Sequence, residues 1–183
     1  MRCWLGSLTT AESVPLLFLL LAGCAVGSAG YRVPEMVPRD VKTNPTPFSA
    51  RVSAKADETT WSRMLRVPDD VFLRAVQESL AGSRIFSEVV TEGEADYALD
   101  VRITELDQPI GGTDMTVNVS ARWVLTDLAT GKVTIDEEIL ASNTVPARTA
   151  FSATERVRLA TEAAIRANIE RGLRRIGAEK LGQ

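Results

Sequence analysis

The chain has 183 residues, 45% hydrophobic and 25% charged, and its 21 lysines and arginines against 24 acids leave a formal charge of −3. A mildly acidic chain with no basic stripe is not built to grip nucleic acid. With no histidine, imidazole acid-base chemistry, His-based triads and two-histidine metal sites are excluded.

The first element is an apolar run of seven residues, Leu16 to Ala22, that ends at Gly23-Cys24. A spanning helix wants roughly 20 such residues, so a permanent membrane helix is not expected. A short apolar core closing on Leu21-Ala22-Gly23-Cys24 looks like a lipobox: a signal peptide over residues 1–23, cleavage after Gly23 and acylation of Cys24. The other reading is an ordinary secretory signal cut near the same place, since the leader's one basic residue, Arg2, is offset by Glu12. In the first reading Cys3 departs with the leader and Cys24 carries lipid, which leaves no thiol for a disulfide or a metal. Two or three acyl chains on one terminus hold a protein stably on a membrane. Ala25 is not the aspartate that retains lipoproteins resembling the enteric ones at the inner membrane, so the expected place is the outer membrane, facing the periplasm. Cleavage removes one charge of each sign and leaves 160 residues, enough for one domain.

Residues 24–47 read as a tether, punctuated by Gly27, Gly30, Pro34, Pro38, Pro45 and Pro47. Tyr31, Val33, Met36 and Val37 are its apolar exceptions and could dock on the domain or on a partner. Residues 48–183 form the domain. Residues 48–55 alternate as a first strand. Trp61, Met64 and Leu65 make an apolar patch or a lid, undecided between the two. Pro68 near the first helical position, with Asp69 and Asp70 behind it, opens a helix whose face is Val71, Phe72, Ala75, Val76 and Leu80 and whose C-cap is Gly82. Ile85-Phe86 and Val89-Val90 return the chain to the core before a turn at Glu92-Gly93-Glu94. Tyr97, Leu99, Val101 and Ile103 alternate as a strand, and a loop follows over residues 109–112. The clearest alternation runs from Met115 to Leu125; Asp127 to Gly131 turns it into a third sheet strand beginning at Val133. Ser152 and Glu155 form a capping box that opens a helix over 153–176, with Val157, Ala160, Thr161, Ala164, Ile165, Ile169, Leu173 and Ile176 inward. Gly172 interrupts it, for close packing or for a bend.

The predicted fold class is α+β: a two-layer sandwich, a mainly antiparallel sheet of about four strands with two helices on one face. The other face carries Thr116, Asn118, Ser120, Arg122, Asp136 and Glu138, the candidate contact surface for a partner or for further copies, although a plain solvated face reads the same way. The acids Asp136-Glu137-Glu138, Asp69-Asp70, Glu92, Glu94 and Asp96 are the only conceivable catalytic set, and structure or solubility explains each more simply. Arg166, Arg171, Arg174, Arg175 and Lys180 suit the late turns of a helix. No cofactor, no metal and no enzymatic activity are expected.

Phe72-Leu73-Arg74-Ala75, Ile85-Phe86, residues 95–100, the strand from Thr116 to Asp127 with its Thr130-Gly131 turn, and the closing helix resemble small bacterial envelope lipoproteins, the YajG-like group and the auxiliary lipoproteins of lipid-transport ABC systems. The resemblance covers about residues 68–176. It implies a non-enzymatic component of envelope machinery, in some members self-associating. The leading expectation is therefore a binding or assembly subunit that engages an envelope protein or its own copies through the sheet face and the Gly111-Gly112 loop. The alternative is a carrier or auxiliary of lipid transport holding an amphiphile near Phe72, Leu99, Trp123 and Ile169. An enzyme with a carboxylate pair across a cleft comes last.

Overall fold

A computed structural model describes residues 30–41, 43–56 and 65–182; the leader, Gly23, Cys24, Trp61 and Met64 lie outside the described residues. The elements run α1 (Val33–Met36), β1 (Ser49–Ala56), α2 (Asp69–Ser83), β2 (Glu88–Val90), β3 (Tyr97–Asp107), β4 (Met115–Asp127), β5 (Val133–Val145), a 3-10 turn (Ala147–Thr149) and α3 (Ala153–Gly177). Five strands form one sheet in the order β2-β1-β3-β4-β5. β3, β4 and β5 are an antiparallel meander. β1 is parallel to both its neighbours, pairing Val52 with Leu99 and Ala50 with Val89. The sheet is therefore mixed and has five strands rather than about four, and α1 adds a third, short helix to the two expected. A β-strand's alternation is the same whichever way its neighbour runs, and so it carries no sign of parallel pairing.

All three helices pack on the same side of the sheet, α2 over β1 and α3 over β4 and β5. The periodic faces expected of α2 and α3 are the faces they bury, from Val71 to Leu80 and from Val157 to Ile176. Gly82 is not the C-cap of α2. The helix runs through it to Ser83, and Arg84 takes the left-handed conformation, with φ 58°. At the start of α3, Ser152 Oγ accepts from the Glu155 N–H at 3.1 Å, while the Glu155 carboxylate turns to Arg158 instead of closing the box. Asp127 Oδ1 takes the N–H groups of Ala129 and Thr130, and Gly131 at φ 72° completes the β4–β5 hairpin.

Beneath α3, Trp123 Nε1 donates to Asn168 Oδ1 at 3.0 Å, and Asn168 Nδ2 donates to the Ile139 carbonyl at 2.6 Å. One turn further on, Gly172 lies so close to the Trp123 ring that a Cβ there would meet it at 2.5 Å. Close packing, not a bend, is the use of that glycine. Of the stretch read as a tether, 24–47, the part from Gly30 to Val41 does not stand off the domain: Tyr31, Val33 and Met36 are buried in the same core, and residues 24–29 lie outside the described residues. Among the described residues no helix is long and apolar enough to cross a membrane.

Candidate interaction surface

Because successive side chains on a strand point to opposite faces, one face of this sheet is filled by the helices and the other is bare. The bare face can be followed across the register. One row runs Lys55, Arg102, Arg122, Glu138; its neighbour runs Ser53, Asp100, Val124, Asp136; a third joins Asp107, Asn118 and Ser142. The six residues singled out from the sequence all belong to this face. Thr116, Arg122, Asp136 and Glu138 are exposed and Asn118 is half-buried, but Ser120, opposite Leu140, is 8% exposed and is withdrawn as a contact residue.

The polar groups on this surface are largely tied to one another. Arg122 forks onto Asp136 through Nε and Nη2, both at 2.7 Å. That fork holds the Asp136 carboxyl below the usual carboxylate range. Thr104 Oγ1 donates to Glu138 at 2.6 Å, Asn118 Nδ2 to Asp107 at 3.2 Å, and Thr116 and Thr144 share a bond of 2.8 Å. Ser53 Oγ donates to Asp100 at 2.7 Å. Lys55 and Arg102 sit side by side in register with no acid bonded to either among the described residues. They are the cations this face offers to a partner. Sequence alternation pointed Arg102 outward, yet without the strand order nothing placed it beside Lys55 and Arg122.

Three of the other acids, Asp69, Asp96 and Glu137, have structural uses. Asp69 Oδ1 accepts the Ala56 N–H at 3.0 Å and so joins β1 to the start of α2. Asp96 accepts the N–H and the hydroxyl of Ser49, at 2.7 and 2.8 Å, and these bonds hold its carboxyl below the usual range. Glu137 points to the helix side and pairs with Arg175 at 2.5 Å. Glu92 and Glu94 are exposed in the β2–β3 loop. The basic cluster of α3 is spent in the same way. Arg166 Nη1 donates to the Glu35 carbonyl at 2.8 Å, Arg171 bonds the Leu140 carbonyl, and Arg174 pairs with Glu170. Phe72, Leu99, Trp123 and Ile169, the residues of the carrier reading, are packed in the core.

A second polar cluster had no signature in the sequence, because its members are far apart in the chain. Gln108 Nε2 donates to Thr161 Oγ1, the Leu65 carbonyl and the Tyr31 hydroxyl at 3.0, 3.1 and 3.3 Å, and Gln108 Oε1 accepts the Leu65 N–H. Beside it Glu162, 1% exposed, takes the Arg32 N–H at 2.7 Å and Arg158 Nη1 at 2.5 Å through Oε1, while its Oε2 is buried with no partner among the described residues. Burial outweighs those two donors and pushes the Glu162 carboxyl above its usual range. Arg158 also grips Glu155, which holds its guanidinium charged and the Glu155 carboxyl low. Through Arg32 on Glu162 and Tyr31 on Gln108, which also bonds Thr161, the cluster acts as a clasp between the 30–36 segment and α3.

No family profile and no curated protein matches the chain. Solved structures share its fold. One is a DUF330 protein from Xanthomonas campestris, 13% identical with a TM-score of 0.56, over 77% of this chain and 90% of that one. Another is a hypothetical protein from Chlamydia trachomatis, 10% identical with a TM-score of 0.52, over 72% of this chain and 94% of that one. At these identities the likeness is one of fold.

Proposed function

We propose that this chain is a lipid-anchored protein of the bacterial envelope, held by Cys24 on the periplasmic side of the outer membrane, and that it works as a non-enzymatic binding or assembly subunit. The observation that carries the reading is the bare face of a five-stranded sheet whose helices all lie on the other side. The Leu21-Ala22-Gly23-Cys24 tetrapeptide supports the anchor. Lys55 and Arg102, bonded to no acid among the described residues and lying beside the Arg122–Asp136 fork, favour an acidic patch on the partner, whether that partner is an envelope protein or a second copy. The amphiphile-carrier and transport-auxiliary reading gains no observation, because its four residues are in core contact.

The test is photo-crosslinking in intact cells from Thr116, Glu138 and Ser142 on the bare face, with Arg74 and Glu78 on the solvent side of α2 as controls. A discrete adduct from the first set and none from the second is the expected result. Adducts from neither set, or equally from both, overturn the assignment of the face. Intact mass of the mature chain checks the anchor separately: diacylglyceryl and acyl groups on Cys24 are expected, and an unmodified N-terminal cysteine rules them out.

A further inference from the structure

Among the described residues five large apolar side chains are exposed, and the two most exposed are Phe151 at 106% and Ile110 at 70%; Leu140 lies on the bare sheet face, and Val133 and Leu128, at 50% and 39%, flank the β4–β5 hairpin. Phe151 and Ile110 lie at one end of the domain. Ile110 belongs to the β3–β4 loop, and Phe151 to the connection from β5 into α3. The two segments are tied together, since the Ala147 N–H donates to Asp114 Oδ1 at 2.9 Å. Phe151 does not hang on a loose strand either: Arg156 Nη1 holds the carbonyls of Ala150 and Phe151 at 2.8 and 3.2 Å, just before the Ser152 cap.

The N-terminal segment shows what this end faces. Gly30 lies against the Arg158 side chain, the Arg32 N–H meets Glu162, and the Glu35 carbonyl meets Arg166. Both sets of numbers rise together, so residues 30–35 run alongside α3 in its own direction. Traced backwards, the chain heads for the start of α3, where Phe151 stands about 10 Å beyond Arg158 at the helical rise. Cys24 is six residues upstream of Gly30, a reach of at most about 20 Å. The opposite end of the domain holds the hairpin at Asp127–Gly131 and the bond from the Gly182 N–H to the Tyr97 hydroxyl.

We infer that the anchored protein rests this end on the bilayer, with Phe151 and Ile110 entering the boundary between headgroups and acyl chains. The proposal builds on the acylation of Cys24. An aromatic and a branched aliphatic side chain are suited to that boundary. Arg32 and Arg148, both exposed near the same end, are placed to meet anionic headgroups. β3 and β5 then point at the membrane and the bare sheet face stands beside it, open to a lateral neighbour.

The test uses the acylated chain, purified from membranes and returned to vesicles of phosphatidylethanolamine and phosphatidylglycerol. Nitroxide labels are placed one at a time at Phe151→Cys, Ile110→Cys and, at the far end, Thr130→Cys. Cys24 is blocked by its own lipid, and all three positions are exposed, so the fold tolerates them. Relative to Thr130, labels at 151 and 110 should collide at least about threefold more with oxygen than with a water-soluble nickel chelate, as buried interfacial groups do. Protein that floats with the vesicles but leaves both labels as open to nickel as Thr130 overturns the docking and spares the anchor. A Cys24 without acyl chains overturns both. Labels shielded from both quenchers and broadened by one another would show a second copy covering this end, which also overturns the proposal.

Discussion

Glu162 is the residue whose placement has the clearest consequence in solution. Its carboxyl is raised by burial, against the pull of the Arg32 N–H and of Arg158, with Glu35 adding a like charge. A group raised on folding stabilises the native state fully below its ordinary value, here 4.5, and that contribution is lost as the pH climbs through the folded value. Asp96, Asp136 and Glu155 run the other way. The Ser49 backbone, Arg122 and Arg158 respectively hold them low, so their contributions stand above the ordinary value and fade as the pH falls. Glu162→Gln isolates the first effect, because the other carboxyls are common to both proteins. The stability of the parent relative to the variant should rise as the pH is lowered from neutral toward 4.5, as measured by urea unfolding at each pH. A difference that does not change with pH would refute the account. None of this was legible in the sequence: Glu162 sits on the helix face next to Thr161, a polar position by pattern, and its burial comes from chain 130 residues away.

At the scale of elements, the fit of α3 on β4 turns on one missing atom. A Cβ on Gly172 would overlap Cε2 and Cζ2 of Trp123, whose ring is pinned by its bond to Asn168. Gly82, within α2, has nothing within 4 Å of the same point. Helix propensity favours alanine over glycine by about 1 kcal/mol, whereas overpacking a core costs roughly 1–3 kcal/mol. Gly82→Ala should therefore stabilise the protein by several tenths of a kcal/mol, and Gly172→Ala should destabilise it by about 1–2 kcal/mol. Thermal and urea unfolding of the two variants decide it, and equal shifts would contradict the packing argument. The sequence showed both helices and the β4–β5 hairpin because period, cap and turn residues are local signals. It stopped at Thr104 in β3, where a bulge between Ile103 and Glu105 resets the alternation and carries Leu106 inward. It missed β2, three residues long, and the parallel partners of β1, since Ala50 meets Tyr97 across 47 residues with no local mark. The residues named on β4 and β5, joined by a short hairpin, do share one side of the sheet, with Ser120 buried among them, whereas the β1 and β3 residues of that side follow from a strand order that only the fold reveals.

For the molecule as a whole, the open question at the sequence was where the tether ends and the domain begins. Proline and glycine in residues 30–38 suggested a spacer, but the segment is clasped at three levels. Tyr31, Val33 and Met36 enter the core, Arg32 and Glu35 bond Glu162 and Arg166, and Tyr31 joins the Gln108 cluster. Any spacer between Cys24 and the domain is thus at most residues 25–29 rather than reaching to Pro47, and a protein anchored at Cys24 as proposed would have its orientation to the membrane set by its own surface. If the clasp is part of the domain, a chain lacking residues 25–41 loses three buried side chains, each worth roughly 1.5–3 kcal/mol, and regains the entropy of the freed backbone. It also strips Glu162 of its backbone donor, so that Arg158 alone compensates that buried carboxylate. The deletion should cost on the order of 2–4 kcal/mol in urea unfolding, with hydrogen exchange quickened first along α3 from Val157 to Arg166. A deletion that left stability and exchange unchanged would restore the spacer, and with it a domain free to stand off the bilayer at any angle.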